Sequence, residues 1–292
     1  MNFDIVTIII GVIIVGGFGI FSIYTKVVDL SGLIAGLIVG LIIWIFGGWS
    51  WFLIILLFHL LAAVMTKFKF KKKEVSGLAQ EKGGARGWPN VTANGLVAAL
   101  FSLSSGIYYL LFSVKLDILF FGFIGAVAAM TADTIATELG LLSKTQPRLI
   151  TTFKKVIPGT SGGVTILGEL AALLGSSIIG LFGWVLAIFN PVFNLISGNL
   201  IVSYSIVFGA IAGGLLGCLV DSIIGATVQG LYNCSKCDKI TEKKVHGCGT
   251  ITDQIQGIAL IDNNVVNLLG SISGSFFSIL IYLLFQILIT GG

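Results

Sequence analysis

An all-α, polytopic transmembrane bundle of about eight spans, with N- and C-termini both outside, is the fold class this 292-residue sequence predicts. Three observations carry that prediction. The chain is 56% hydrophobic and 10% charged, with a mean hydropathy of +1.05, whereas soluble domains carry about 25% charged residues. Its apolar residues gather into windows of roughly 20, the length that crosses a bilayer core. Its basic residues gather in alternate connections.

The windows fall at 2–24, 28–46, 50–66, 91–113, 117–140, 163–189, 200–221 and 264–289, a single integral membrane domain over 1–292. The first has no basic n-region and no small-residue cleavage site, and it carries Asp4, so it is expected to be a retained helix. The second repeats Gly32, Gly36 and Gly40 at the four-residue step of close helix packing. The sixth is long enough to bend or tilt. Residues 223–231 either extend the seventh or form a half-helix of their own.

Orientation follows from the positive-inside rule. With the N-terminus outside, the connections at 25–27, 67–90, 141–162 and 222–263 are cytoplasmic and hold all 17 Lys and Arg residues except Lys115. The external connections near 47–49, 113–116 and 190–198 are too short for a binding domain. Function is therefore expected in the cell membrane or on its inner face. No nucleic-acid partner is expected from the net charge of +4, because placement matters more than size here.

Asp133, Glu138, Glu169 and Asp221 lie within or beside apolar segments that contain no basic partner. Each acid costs roughly 2.5–3.5 kcal/mol at the bilayer centre, so function is the default reading and a bound cation would neutralise it. Asp133 and Glu138 stand about 140° apart on a straight helix, so they share a site only if it is wide. For Glu169, a protonated acid bonded to a neighbouring helix is an equal alternative. On the seventh span Gly209, Gly213, Gly217, Asp221, Gly225 and Gln229 form one stripe, a packing face that ends in a carboxylate and an amide.

Three polar motifs flank the spans. In Glu81-Lys-Gly-Gly-Ala-Arg-Gly-Trp-Pro-Asn90, Lys82, Gly83 and Gly84 lead to Arg86, which can fork onto an oxyanion. Asn90 and Asn94 share one helical face, as do Asn263, Asn264 and Asn267; both sets suit a metal or phosphate, or plain capping and interhelical bonding. Pro158-Gly159-Thr160-Ser161-Gly162-Gly163 precedes a helix and follows Arg148, Lys154 and Lys155, an arrangement suited to anions, although it is no Walker A loop. Phosphate-binding groups facing Asp133, Glu138 and Asp221 would make a magnesium–nucleotide site. The lysines from Lys67 to Lys73 are expected to attract anionic lipid head groups. In the loop at 231–256, Cys234, Cys237, His246 and Cys248 make a Cys3His set that would close a structural zinc site, with free thiols as the alternative.

Taken together, these motifs resemble the membrane family of plant and cyanobacterial phytyl-phosphate kinases and animal transmembrane protein 19 (domain of unknown function 92). The matching stretches are Gly83 to Gly87, Asn90 to Asn94, Asp133 to Glu138, Pro158 to Gly163, Asp221-Ser222 to Gly225 with Gln229, the cysteine loop, and Asn264 to Asn267. They run from about residue 75 to the C-terminus. One departure is Asn263-Asn264, where an Asn-Asp pair is expected, which leaves Asn264 a neutral ligand at best. The resemblance implies a kinase that converts an isoprenoid monophosphate, such as phytyl or geranylgeranyl phosphate, into its diphosphate. CTP as donor is implied by analogy with phytol and dolichol kinases, with ATP the alternative. Two rivals remain at this point: a CTP-dependent lipid cytidylyltransferase, and a lipid-phosphate transporter or flippase.

Overall fold

The computed structural model describes residues 4–76, 82–189, 200–242 and 244–290. The expected connection at 190–198, Lys243 and the side chain of Lys82 lie outside the described residues. Among the described residues, eight helices are long and apolar enough to cross a membrane.

Helix α1 (Ile5–Tyr24) is capped by Asp4, which accepts from the Thr7 amide at 2.6 Å. Helix α2 (Leu30–Ile42) is capped by Asp29 and runs into a wide turn, Ile43–Gly47. There the Trp44 indole donates to the Thr7 carbonyl at 3.0 Å and ties α1 to the bundle. Helices α3 (Trp49–Lys67), α5 (Trp88–Phe112), α6 (Asp117–Gly140), α7 (Ile166–Phe189), α8 (Leu200–Thr227) and α9 (Asn263–Thr290) complete the spans, and α4 (Phe70–Val75) is a short helix between α3 and α5. Pro89 at the start of α5 begins that helix three residues before the apolar window. Residues 223–227 extend α8. The sixth span starts at Ile166, because Gly163–Val164 (β2) pairs with Arg148–Leu149 (β1) instead. A second antiparallel sheet, β3 (Leu231–Cys234) between β4 (Lys239–Thr241) and β5 (Asp253–Gln256), fills the loop before α9.

Helix α6 is the axis: 83% of its apolar window is buried inside the protein, against 17% for α1. Its sequence permits this, since Gly122, Gly125, Ala126, Ala128, Ala129 and Ala132 let neighbours approach from every side. The stripe on α8 meets both α6 and α9. A Cβ on Gly217 would lie 2.6 Å from the Ala129 Cβ and 2.9 Å from the Gly270 carbonyl oxygen. A Cβ on Gly274 would lie 2.6 Å from the Ala129 Cβ, 2.7 Å from the Gly125 oxygen and 2.9 Å from the Gly213 oxygen.

Overpacking at such a point costs typically about 1–3 kcal/mol. Gly274→Ala is therefore expected to lower the thermal midpoint of the detergent-solubilised protein. Gly17→Ala, which adds a methyl where nothing lies within 4 Å, should leave it unchanged.

Candidate active site

The close approach of α6, α8 and α9 brings two carboxylates together. Asp133 and Asp221 line one small cavity with about 190 Å3 of empty space, shared with Asn94 from α5 and Asn267 and Ser271 from α9. Asp221 sits over Gly270, where a Cβ would lie 3.2 Å from its Oδ2. The Asn267 amide, with its nitrogen turned inward, donates to Asp221 Oδ2 at 3.3 Å and to the Asn263 carbonyl at 3.2 Å. Among the described residues neither carboxylate makes an ion pair. A third acid, Glu242 after β4, lies in the electrostatic field of both. Two carboxylates on one small cavity, without an ion-pair partner among the described residues, make a donor set suited to a hard cation such as magnesium.

Glu138 has a different place. Its Oε2 accepts from Lys73 Nζ at 2.5 Å and its Oε1 from Thr66 Oγ1 at 2.8 Å. Both charged groups are buried, at 2% and 4% exposure. Lys73 also donates to the Met65 and Thr66 carbonyls at 3.1 and 3.0 Å, closing the end of α3. The expectation that no basic residue would pair with Glu138 is thus corrected, because α4 folds back and inserts Lys73. That residue leaves the head-group lip, and Glu138 is held as an ion-pair partner outside the acidic cavity. Glu169 is exposed in the first turn of α7 and, among the described residues, bonds to no neighbouring helix.

Arg86 is fixed by its backbone. Its amide donates to the Val27 carbonyl at 2.9 Å, and its carbonyl accepts from the Asp29 amide at 3.1 Å. Gly83 and Gly84 adopt positive φ, which lets their turn wrap the end of α3, where Lys67 Nζ donates to the Gly83 carbonyl at 2.8 Å. Burial pulls the Arg86 guanidinium below its ordinary value, and the Glu138 and Asp133 carboxylates oppose that pull. It therefore stays charged.

Arg86 stands at the mouth of a second, far larger cavity between α1, α2, α3 and α5. This one spans about 1040 Å3 of empty space, open solvent included, and is lined almost wholly by apolar groups. Its polar end carries Thr66, Lys67, Arg86, Asn90 and Asn94; its far end reaches Val15, Gly40 and Phe52. From Lys67 to Phe52 is about 22 Å along α3 at 1.5 Å per residue. Asn94, which lines the acidic cavity, also lines this one, and its side chain donates to the Asn90 carbonyl at 2.8 Å. The Asn90 Oδ1 is buried and accepts no bond among the described residues.

The remaining candidates lie outside both cavities. The 158–163 turn packs on the last turns of α8: Ser161 Oγ donates to Gln229 Oε1 at 2.6 Å, and Gly162 lies against the Ser222 carbonyl and Ala226. Gln229 Nε2 is buried without an acceptor among the described residues. Pro158, Gly159, Lys154 and Lys155 are exposed. Arg148 is spent on the Phe153 carbonyl at 2.9 Å. Asn264 is turned into the α9 cap, where its amide and side chain both donate to Asp262, so the three asparagines do not act as one face. Cys234, Cys237, His246 and Cys248 cluster beyond the ends of the spans. Hydrogen bonding with Thr250 and His246 draws the Cys248 thiol down to about 5.

The family model described as integral membrane protein DUF92 matches residues 13–275. The chain belongs to this family. An uncharacterised membrane protein of Methanocaldococcus jannaschii is 31% identical over 258 residues, 88% of this chain and 87% of that one. Protein PGR of Arabidopsis thaliana is 35% identical over 259 residues, 86% of this chain and 88% of that one. The chloroplastic protein VTE6 of the same plant is 27% identical over 254 residues, 86% of this chain and 64% of its own. No solved structure matches.

Sequence reasoning missed four contributors to the site: Lys73, Thr66, Glu242 and His59. His59 shares a 2.8 Å hydrogen bond with Ser22 in the wall of the large cavity. A lone imidazole in an apolar span was the one available signal.

Removing one partner of a buried pair costs about 3–5 kcal/mol. Lys73→Met is thus expected to destabilise the protein by that amount in detergent unfolding. Adding Glu138→Gln should recover most of the loss, because the orphaned charge is then gone.

Proposed function

We propose that this member of the family is a magnesium-dependent prenyl-phosphate kinase, which transfers a phosphoryl group from a nucleoside triphosphate, CTP or ATP, to an isoprenoid monophosphate. The observation that carries the reading is Asn94. It is shared by an apolar cavity that runs along the spans and an acidic cavity suited to a cation. An amphiphilic phosphate and a metal–nucleotide thus have adjoining places. The length of the large cavity along α3 and its apolar lining suit a long hydrocarbon. The likeness of the motifs to phytyl-phosphate kinases points the same way, and the basic residues at the loop-rich end support a cytoplasmic position for it.

On this reading the isoprenoid lies between α1, α2, α3 and α5. Its phosphate sits between Arg86, which neutralises charge, and the Asn90 and Asn94 amides, which orient it. Asp133 and Asp221 would hold the cation, which would supply charge screening for the donor phosphates. An acceptor phosphate oxygen attacks the terminal phosphorus, the bond to the bridging oxygen breaks, and the nucleoside diphosphate leaves. The acceptor oxygen is already ionised, so no general base is needed and catalysis rests on positioning and charge stabilisation. The 158–163 turn, Lys154 and Lys155 stand at the solvent side, where they would receive the nucleotide. Lys67, Thr66 and Glu138 hold the Arg86 turn in place.

Purified protein with magnesium, labelled CTP or ATP and geranylgeranyl phosphate should yield the diphosphate lipid and a nucleoside diphosphate. Asp133→Asn and Asp221→Asn should each reduce turnover by about 10²–10³-fold, the loss typical of one transition-state charge partner. Pyrophosphate release would instead establish nucleotidyl transfer, and no product with either nucleotide would overturn the reading.

Chain length is testable separately. A Cβ on Gly36 meets only Val91, at 4.0 Å, so Gly36→Leu should fold normally yet fill the cavity. It is expected to shift the preference from a C20 to a C10 acceptor, read as a changed ratio of kcat/KM.

A further inference from the structure

We infer that Cys234, Cys237, His246 and Cys248 bind one zinc ion, which clamps the loop between α8 and α9. The four ligand atoms lie within 4.8 Å of one another. Cys234 and Cys248 Sγ are 3.6 Å apart, and His246 Nδ1 is 3.2 Å from Cys248 Sγ. Thiolates about 2.3 Å from a tetrahedral zinc stand roughly 3.8 Å apart, so the set is near its ligating geometry, whereas a disulfide would need sulfurs about 2.05 Å apart.

The backbone is folded for the task twice. In the first turn the Cys237 and Asp238 amides donate to the Cys234 carbonyl at 3.2 and 2.8 Å, and Asp238 adopts a φ of 49°. In the second the Gly249 amide donates to the His246 carbonyl at 2.8 Å, and Gly249 adopts a φ of 81°. Each turn thus carries two ligands, with a left-handed residue directly after the second. The two turns lie on different segments of the loop, which the strands alone hold together. Four protein ligands leave zinc no open position, so its role is structural.

The loop joins α8 to α9, the helices that carry Asp221 and Asn267, so the ion would stiffen the connection between them.

Metal analysis of the full chain, purified in detergent under reducing conditions, should find about one zinc per chain that survives dialysis. Cobalt exchanged into the folded protein should show thiolate charge-transfer absorption. Cys234→Ser and Cys248→Ser should lose the metal, while His246→Cys and Cys218→Ser keep it. Folded protein with under about a tenth of a zinc per chain, a Cys234–Cys248 disulfide, or zinc indifferent to Cys234→Ser would overturn the site.

Discussion

The site depends on the close approach of α6, α8 and α9. Inside a bilayer no hydrophobic force drives helix against helix, since lipid is as apolar as leucine, so packing and polar contacts must do it. Gly125, Gly213, Gly217, Gly270 and Gly274 remove the side chains that would hold the backbones apart. Once the helices close, the next polar positions along each, Asp133 and Asp221, face one another across a gap that no side chain fills. Gly270 makes room for Asp221 directly. The same small residues that permit packing near the middle of the spans therefore create the cavity at their ends.

Charge separates the acids by role. Glu138 is compensated by Lys73 and by a hydrogen bond from Thr66, and an ion pair so enclosed specifies geometry more than it adds stability. What it specifies is the end of α3, where Thr66 lies within 3.5 Å of the Arg86 guanidinium and Lys67 grips the Gly83 carbonyl. Asp133 and Asp221 have no ion-pair partner among the described residues, although the Arg86 charge reaches Asp133. Two such carboxylates in a low dielectric are costly, and on the proposed reading a divalent ion would offset that cost.

Most of this framework was legible in the sequence. The spans follow from hydropathy, and their ends move by only a few residues in the structure, for local reasons such as Pro89 starting α5 early and β2 delaying α7. The stripe from Gly209 to Gln229 was legible because helical spacing is a rule of one element. What sequence could not give is what depends on folding back. A run of lysines reads as a head-group lip until α4 reverses and buries Lys73. Spacing put Asn264 on a face with Asn267, but the Asp262 cap takes it away. Gly36 reads as a packing glycine, yet the structure makes it cavity wall, because periodicity does not distinguish a face touching a helix from one facing empty space.

The two cavities together explain why this chemistry would sit in a membrane protein. An isoprenoid phosphate has its tail in hydrocarbon and its charge in water, and a soluble enzyme would have to extract the tail at about 0.8 kcal/mol per CH2. A cavity parallel to the spans lets the tail exchange one apolar surround for another, so binding energy from the tail can be directed to placing the phosphate. On the proposed reading, placement would be decided where the apolar wall ends, at Arg86, Asn90 and Asn94, and one residue, Asn94, belongs to both chambers. A shift of α5 by a single turn would break that shared wall. The Arg86 carbonyl held by the Asp29 amide and the Ser31 hydroxyl accepting from the Trp88 amide at 3.1 Å fix the start of α5 against such a slip. The turn between α1 and α2, far in sequence from both acids, thereby sets the register on which their partnership with the tail chamber depends.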